Sequence, residues 1–220
     1  MDFQAARNNM IEQQVRPWDV LDQRVLDVLA LVPREEFVDA SQRGIAYSDF
    51  PLPIGHGQHL LKPILDGRLL QALLLKVTDS VLEIGTGSGY LTACMARLAG
   101  HCESLEIIPE LAEAARIQLT SQGIANITLH NQDAATDWDM RDAYDAIAFS
   151  GAVESVPDNY HRRLKPGGRL FAVIGSPKNP TMEAVLITRV HDEEWSTESL
   201  FETRVDALVN FSSDKPEFIF

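Results

Sequence analysis

The stretch from Val81 to Tyr90 constrains the fold of this 220-residue chain more than any other. It opens on Val-Leu-Glu-Ile, a short apolar strand pattern, and glycines follow at positions 85, 87 and 89. An amphipathic pattern then runs from Leu91 to Leu98. A strand, a tight glycine turn and a helix make up the first unit of a nucleotide-binding α/β sheet. In such a unit the unpaired backbone amides at the start of the helix face the ligand.

The spacing of the glycines narrows the class of ligand. A dinucleotide fingerprint reads G-x-G-x-x-G, whereas this loop reads Gly85-x-Gly87-x-Gly89 and follows an acidic residue, Glu83. A carboxylate so close to the turn suits a pyrophosphate poorly. It suits a ligand that carries an amino group and a sulfonium charge. S-adenosylmethionine is such a ligand, and we expect it to bind here in place of NAD.

Two further acidic residues support a nucleoside site. A second predicted strand, 102–107, places Glu106 at its end, 21 positions after Gly85. That separation is the one at which an acidic side chain meets ribose hydroxyls. Asp133 lies just past a third predicted strand, 126–130, where it can reach an adenine amino group.

The remaining pattern predicts a three-layer α/β, Rossmann-like fold in a single domain, residues 1–220. We expect a mostly parallel seven-stranded sheet with a C-terminal antiparallel strand, residues 76–220, and a helical and loop extension on the substrate side, residues 1–75. Residues 45–63 are predicted to form an ordered loop without strand periodicity. Besides the segments given above, strands are predicted at 143–150, 169–174, 183–190 and 198–208, and helices at 3–15, 19–31, 64–75, 109–118 and 160–164.

Composition excludes several classes of function. The net charge of −13 disfavours sequence-independent binding to nucleic acid, because phosphate contacts need clustered Lys and Arg. No apolar run of about eighteen residues and no basic leader occur, so we expect a cytoplasmic protein without a membrane segment. The cysteines, Cys94 and Cys102, are expected to be reduced thiols. His56 and His59 lack further ligands at metal-binding spacing, and no metal is expected.

Three stretches resemble the protein-L-isoaspartate O-methyltransferase family of seven-stranded, S-adenosylmethionine-dependent methyltransferases. Residues 32–38, Val-Pro-Arg-Glu-Glu-Phe-Val, look like its N-terminal signature. Residues 47–58 are similar to its distinctive loop, and residues 81–90 resemble its cofactor motif. The resemblance implies a methyltransferase fold, a peptide or protein substrate, and methyl transfer from S-adenosyl-L-methionine to the α-carboxylate of isoaspartyl residues in damaged proteins.

The resemblance also implies two sets of site residues. The set implied for the cofactor is Glu83, Gly85, Thr86, Gly87, Gly89, Glu106, Ile107, Asp133, Ala134 and Ser150. The set implied for the substrate is Pro53, Ile54, Gln58, His59 and Ser150.

One departure from the family pattern bears on the acceptor. The family's loop continues Gly-Gln-Thr-Ile-Ser, and its serine hydroxyl meets the substrate carboxylate, but this chain has Leu61 at that serine position. No catalytic residue is therefore assigned, and His59 and Lys62 are the candidates to replace the contact. Two alternatives stay open: a methyltransferase of the same fold with a different acceptor, and a cofactor-binding homologue that has lost catalysis.

Overall fold

A computed structural model describes residues 2–136 and 143–211. The helices are α1 (Phe3–Met10), α2 (Gln23–Leu31), α3 (Pro63–Leu73), α4 (Tyr90–Leu98), α5 (Pro109–Ser121) and α6 (Asp158–Arg162). The strands are β1 (Leu52–Gly55), β2 (Gln58–Leu60), β3 (Ser80–Ile84), β4 (His101–Glu106), β5 (Ile127–Asn131), β6 (Tyr144–Val153), β7 (Leu164–Ile174), β8 (Met182–His191) and β9 (Glu194–Thr203). No helix in these described ranges is both long and apolar enough to span a membrane.

Strands β3 to β9 form one seven-stranded sheet in the order β5-β4-β3-β6-β7-β8-β9. The first five strands in chain order are parallel, β8 is antiparallel to β7, and β9 pairs antiparallel with β8. The predicted seven-stranded, mostly parallel sheet with an antiparallel strand near its C-terminal edge is confirmed. Strand β8 is the one that runs opposite to the others. The order turns back between β3 and β6, which creates a crevice at the carboxyl ends of those two strands.

The central strands of the sheet are buried on both faces. Alternate residues of β3 illustrate this, because Val81 belongs to the core shared with α2, α3 and α4, while Leu82 belongs to the core on the opposite face. That opposite core includes Tyr160 of α6, whose ring packs edge-on against Phe149 of β6. The near-continuous apolar strands of the sequence follow from this double burial.

The N-terminal helices are shorter than the sequence predicts. Helix α1 ends at Met10 and continues as a π turn over Ile11–Val15 and a 3-10 turn over Arg16–Trp18. Pro17 explains the break, since it lacks an amide hydrogen and cannot continue the helical ladder. Helix α2 begins only at Gln23, because the Asp22 side chain caps it by accepting a hydrogen bond from the Arg24 amide.

The prediction of an irregular loop over residues 45–63 is wrong for its second half. Strands β1 and β2 form a hairpin in which Leu52 pairs with Leu60 and Pro53 pairs with His59. Its turn places His56 and Gly57 at φ values of +54° and +73°, the left-handed region used by tight hairpin turns. The prolines masked the strand pattern, but an isolated two-stranded hairpin tolerates them because both of its strands are edges.

The prediction of the last strand over residues 198–208 lies several residues too close to the C-terminus. Strand β9 ends at Thr203, and residues 204–211 leave the sheet edge and return to β6. The Ala152 amide donates to the Asp206 carbonyl at 2.8 Å, and the Leu208 amide donates to the Ala152 carbonyl at 2.8 Å. The returning segment therefore lies over the end of a central strand.

Truncation of Leu82 tests the placement of the central strand. Leu82 is fully buried, so Leu82→Ala should lower the free energy of unfolding by about 2–5 kcal/mol. Leu21 is 68% exposed, and Leu21→Ala should change it by less than about 0.5 kcal/mol. Urea unfolding followed by circular dichroism measures both. Equal losses in the two variants would contradict the assignment of β3 to the core.

Candidate active site

The glycine loop after β3 is held by its neighbours in the sheet. The amides of Gly85 and Thr86 both donate to the Leu105 carbonyl of β4, at 2.9 and 3.1 Å. Gly85 has φ +93°, and a Cβ there would come within 2.7 Å of Ser150 Oγ on β6. Only glycine fits this position, so the loop passes directly between the ends of β4 and β6.

Glu106 ends β4 and faces the loop. Its Oε2 accepts from the Gly87 amide at 2.8 Å, and its Oε1 accepts from the Ile108 amide at 3.0 Å. The residue is only 5% exposed, and it lines the cavity in front of the loop. Each carboxylate oxygen accepts more than one hydrogen bond, so both remain able to accept from a bound hydroxyl.

A cavity of about 660 Å³ occupies the crevice at the carboxyl ends of β3 and β6. The cavity contains most of the predicted site residues: Ile54, Gln58, His59, Leu61, Gly85, Gly87, Glu106, Ile107, Asp133, Ala134 and Ser150.

A second cavity of about 300 Å³ lies against the first. The two share six lining residues, which are Ile54, His59, Leu61, Gly85, Gly87 and Ser150. Glu83 and Thr86, also predicted, line only the second cavity, together with Asp66 of α3. Asp66 had no role in the sequence analysis.

Three predicted residues line neither cavity. Pro53 and Lys62 are exposed on the surface of the hairpin and at the start of α3. Gly89 lies at the start of α4, where a Cβ would meet the Cβ of Ala115 on α5 at 3.2 Å. The third glycine therefore allows α4 and α5 to pack closely. Of the two candidates to replace the family's serine contact, His59 lines both cavities and Lys62 lines neither.

Asp133 lies beyond β5 and at the edge of the first cavity. Its Oδ1 accepts from the Ala135 amide at 2.9 Å, and its Oδ2 accepts from the Asn210 side-chain amide at 2.7 Å. These bonds fix the carboxylate between the loop after β5 and the returning C-terminal segment.

The C-terminal segment supplies site residues that sequence reasoning missed. Asp206, Leu208, Val209 and Phe211 line the first cavity, as do Ile108, Leu111 and Gln132. The sequence pattern predicts a last strand that runs through residue 208, so these side chains were expected at the edge of the sheet. No motif in the segment indicated the return to β6.

The side of the cavity next to the hairpin carries a histidine–carboxylate pair. His59 Nδ1 lies 2.8 Å from Asp206 Oδ2, and both side chains are 39% exposed. Leu61 beside them is half-buried and packs against the core, and its carbonyl accepts a hydrogen bond from Arg34. The side chain at the family's serine position is therefore an apolar wall.

Two buried carboxyl groups dominate the electrostatics. Glu83 Oε2 accepts from the hydroxyls of Thr92 and Ser104, and burial nevertheless raises the pKa of Glu83 to about 8. Asp66 forms a 2.6 Å ion pair with Arg34, and both side chains are inaccessible to solvent. Burial raises the pKa of Asp66 to about 6, against the opposing effect of the guanidinium.

Comparisons with known proteins agree with this geometry. Residues 5–211 match the family described as Protein-L-isoaspartate(D-aspartate) O-methyltransferase. A protein-L-isoaspartate O-methyltransferase of Rhodopseudomonas palustris is 36% identical over 200 residues, which are 91% of this chain and 91% of that relative. One from Myxococcus xanthus is 40% identical over 170 residues, 77% of this chain and 80% of the relative.

A solved structure supports the fold. A Plasmodium falciparum protein described as a protein-L-isoaspartate O-methyltransferase, in complex with S-adenosyl-L-homocysteine, superposes with a TM-score of 0.81. The sequence identity is 20%, and the superposition covers 96% of this chain and 99% of that one.

The sheet order, the glycine loop and the crevice together define a Rossmann-like α/β fold of the methyltransferase class. Within that class, the chain belongs to the protein-L-isoaspartate(D-aspartate) O-methyltransferase family.

The raised pKa of Glu83 predicts a pH dependence of stability. A carboxyl whose pKa is higher in the folded protein binds protons more tightly there, so the free energy of unfolding falls as pH rises toward about 8. Glu83→Gln removes this titration and should flatten the decline between pH 6 and 8. Urea unfolding at pH 5, 6, 7 and 8 measures it.

Glu198→Gln on the exposed face of β9 is the matched control and should follow the wild-type curve. Parallel curves for the wild type and Glu83→Gln would show that Glu83 titrates alike in the folded and unfolded chains.

Proposed function

We propose that the chain is an S-adenosylmethionine-dependent carboxyl methyltransferase that acts on isoaspartyl residues of damaged proteins. One observation carries the proposal: ten residues implied by the family resemblance, from five separate parts of the chain, line one cavity at the turning point of the sheet. The relatives' names supply the acceptor class.

The cavity fits the cofactor at both of its ends. Glu106 offers two carboxylate oxygens for ribose hydroxyls, and Asp133, which lines the same cavity, can accept from the adenine amino group. Apolar side chains between them suit the faces of the base; they are Ile107, Ile108, Leu111 and Phe211. Gly85 and Gly87 line both cavities and Glu83 lines the second, which suits the amino-acid moiety and its charges.

The reaction needs little from the protein besides the positioning of the acceptor and the cofactor. S-adenosylmethionine, when bound, supplies an electrophilic methyl group on a sulfonium. The acceptor carboxylate is already ionised at neutral pH, so no side chain has to remove a proton. The chain's work is to hold the acceptor oxygen in line with the methyl carbon and to exclude water, and the apolar wall of Leu61 and Leu208 contributes to the exclusion.

His59 holds the acceptor carboxylate in this proposal. It lines both cavities, whereas Lys62 lines neither. Asp206 engages Nδ1 and so orients the ring, leaving Nε2 as the nitrogen that can donate to the acceptor when the ring is protonated. A single donor replaces the family's serine, and we therefore expect weak isoaspartyl activity.

The wider assignments follow from the same proposal. The chain acts in the cytoplasm on peptide or protein substrates and binds no nucleic acid. Residues 1–75 form the substrate side of one domain whose sheet, residues 76–220, binds the cofactor. The exchange of serine for Leu61 favours one rival function, a methyltransferase of the same fold with a different acceptor.

Glu106→Ala tests the cofactor site. A carboxylate that accepts ribose hydroxyls contributes about 1.5–3 kcal/mol, so the variant should bind S-adenosyl-L-homocysteine roughly ten- to hundredfold more weakly. Calorimetry measures the dissociation constant. Glu113→Ala, an exposed acid on α5, is the control and should bind as the wild type does. An unchanged constant in folded Glu106→Ala would remove Glu106 from the site.

Substitutions at the acceptor wall test the acceptor. The assay is the initial rate of methyl transfer from labelled cofactor to an isoaspartyl peptide, beside its normal aspartyl twin. Leu61→Ser should raise the rate and His59→Ala should lower it, by roughly ten- to hundredfold each, the value of one charge-assisted hydrogen bond. Lys62→Ala should leave it unchanged.

Two results would contradict this account. A high wild-type rate that is indifferent to Leu61→Ser and His59→Ala would show that the carboxylate lies elsewhere. Absence of transfer in every variant, with binding of the cofactor product intact, would favour the rival function with a different acceptor.

A further inference from the structure

The pair formed by His59 and Asp206 fixes which nitrogen of the histidine faces a ligand. His59 Nδ1 lies 2.8 Å from Asp206 Oδ2. An ionised carboxylate only accepts hydrogen bonds, so Nδ1 carries the hydrogen and, in the neutral ring, Nε2 carries the lone pair. A histidine oriented in this way by a carboxylate is the arrangement in which an imidazole acts as a general base.

The neutral form of this pair does not suit an acceptor carboxylate. A carboxylate needs a donor, and His59 offers one at Nε2 only when the ring is protonated. A hydroxyl acceptor has the opposite requirement, because its O–H donates to the Nε2 lone pair of the neutral ring. The hydroxyl must also lose its proton during methyl transfer, whereas the carboxylate is already ionised. The pair therefore offers a base that isoaspartyl methylation leaves unused.

Apolar side chains line the cavities together with His59. Ile54 of the hairpin and Leu61 just after it line both cavities. Leu208, two positions after Asp206 on the returning segment, lines the first. Such side chains give a carboxylate no hydrogen bond, but they suit the faces of an aromatic ring.

His59 carries the one basic nitrogen among the lining residues that the structure describes. The other titratable side chains that line the two cavities are all carboxyl groups: Asp66, Glu83, Glu106, Asp133 and Asp206. Asp66 and Glu83 are inaccessible to solvent. An acceptor that must lose a proton therefore has His59 as its base.

We propose that the chain has a second activity, methyl transfer from the same cofactor to a phenolic hydroxyl, with His59 as the general base and Asp206 as its positioning residue. A phenol suits this base because its O–H, with a pKa of about 10, is far more acidic than that of an aliphatic alcohol. Its ring suits the apolar lining. The inference shares the cofactor of the proposed function and goes beyond it in the acceptor.

The transfer balances without a further reactant. The phenolic proton moves to His59 Nε2, and the phenolic oxygen bonds to the methyl carbon while the carbon–sulfur bond breaks and leaves its electron pair on sulfur. The products are a methyl ether and S-adenosyl-L-homocysteine, and the imidazolium then returns its proton to water. Asp206 stabilises the imidazolium without becoming protonated.

Two acceptors that differ only at the reacting group test the proposal. Labelled cofactor converts 4-methylphenol to a methyl ether and 4-methylbenzoate to a methyl ester, and alkali hydrolyses only the ester. At pH 8 the wild type should form the ether at least about tenfold faster than the ester. Ether formation should rise from pH 6 to pH 8, the range in which a histidine loses its charge, whereas transfer to the isoaspartyl peptide should fall.

Variants assign the pH dependence to the pair. Burial raises the pKa of Glu83 to about 8, so its titration overlaps with this range. His59→Gln should lower ether formation by about a hundredfold or more and remove the rise with pH. Asp206→Asn no longer fixes the tautomer and should lower it at least about tenfold. His56→Asn, on the exposed turn of the hairpin, lines neither cavity and is the matched control, which should behave as the wild type does.

A spectroscopic test needs no methyl transfer. 4-Nitrophenol absorbs visible light strongly only as its phenolate. Bound at pH 6 to the wild type saturated with S-adenosyl-L-homocysteine, it should gain the phenolate absorption, because its proton passes to His59 Nε2. Bound to His59→Gln, it should keep the spectrum of the neutral phenol.

A tyrosine peptide distinguishes the source of the phenol. Labelled cofactor is offered to a peptide with one tyrosine and to its phenylalanine twin. An alkali-stable label on the tyrosine peptide alone would identify a protein side chain as the acceptor. A label on 4-methylphenol alone would identify a small phenol, and either result supports the second activity.

The outcomes separate the two activities. No ether on either phenol, in a protein that binds S-adenosyl-L-homocysteine, would overturn the second activity and leave the pair as a tie between the hairpin and the C-terminal segment. An ether rate that keeps its size or its rise with pH in folded His59→Gln would overturn the role of the pair. Isoaspartyl transfer is measured on the same preparation, so the proposed function is tested separately. Failure of S-adenosyl-L-homocysteine to bind would overturn both.

Discussion

The guanidinium of Arg34 joins the parts of the molecule that form the site. It is fully buried, donates to the carbonyls of Ala46 and Leu61, and pairs with Asp66 on α3. It also lies over the Tyr90 ring at the start of α4, 4.7 Å from the ring centre. One side chain thus connects the N-terminal extension, the hairpin, α3 and the glycine loop. A buried cation requires every one of these partners, so its burial fixes the end of the hairpin relative to the glycine loop.

Sequence reasoning succeeds where the pattern is local. The strand, glycine turn and helix lie within eighteen consecutive residues, 81–98. A short apolar run marks the strand, and apolar residues three to four positions apart mark the helix. Glu106 follows at a spacing set by one helix and one strand, and the structure places it on the Gly87 amide. These contacts can be predicted without knowing which distant segments of the chain pack together.

It fails where a contact joins distant segments. Asp66 lies among the inward residues of α3, but its partner Arg34 is 32 positions away and nothing in either neighbourhood indicates the pairing. Asp206 lies 147 positions from His59 and reaches it only because residues 204–211 return to β6. The hairpin was missed for a different reason: its prolines are unfavourable in a central strand, and the sequence does not show that β1 and β2 pair only with each other.

The same buried charges connect the hairpin side of the site to the glycine loop. Leu61 presents its side chain to both cavities and its carbonyl to Arg34, while Arg34 balances Asp66 behind the glycine loop. A shift of the Leu61 backbone would therefore act on a guanidinium that also sets the charge of the second cavity. In a low-dielectric interior such coupling is strong, because water does not screen it. Replacing the family's serine by leucine keeps this wall apolar and leaves Arg34 its carbonyl partner, so the acceptor contact can differ without disturbing the charges that hold the loop.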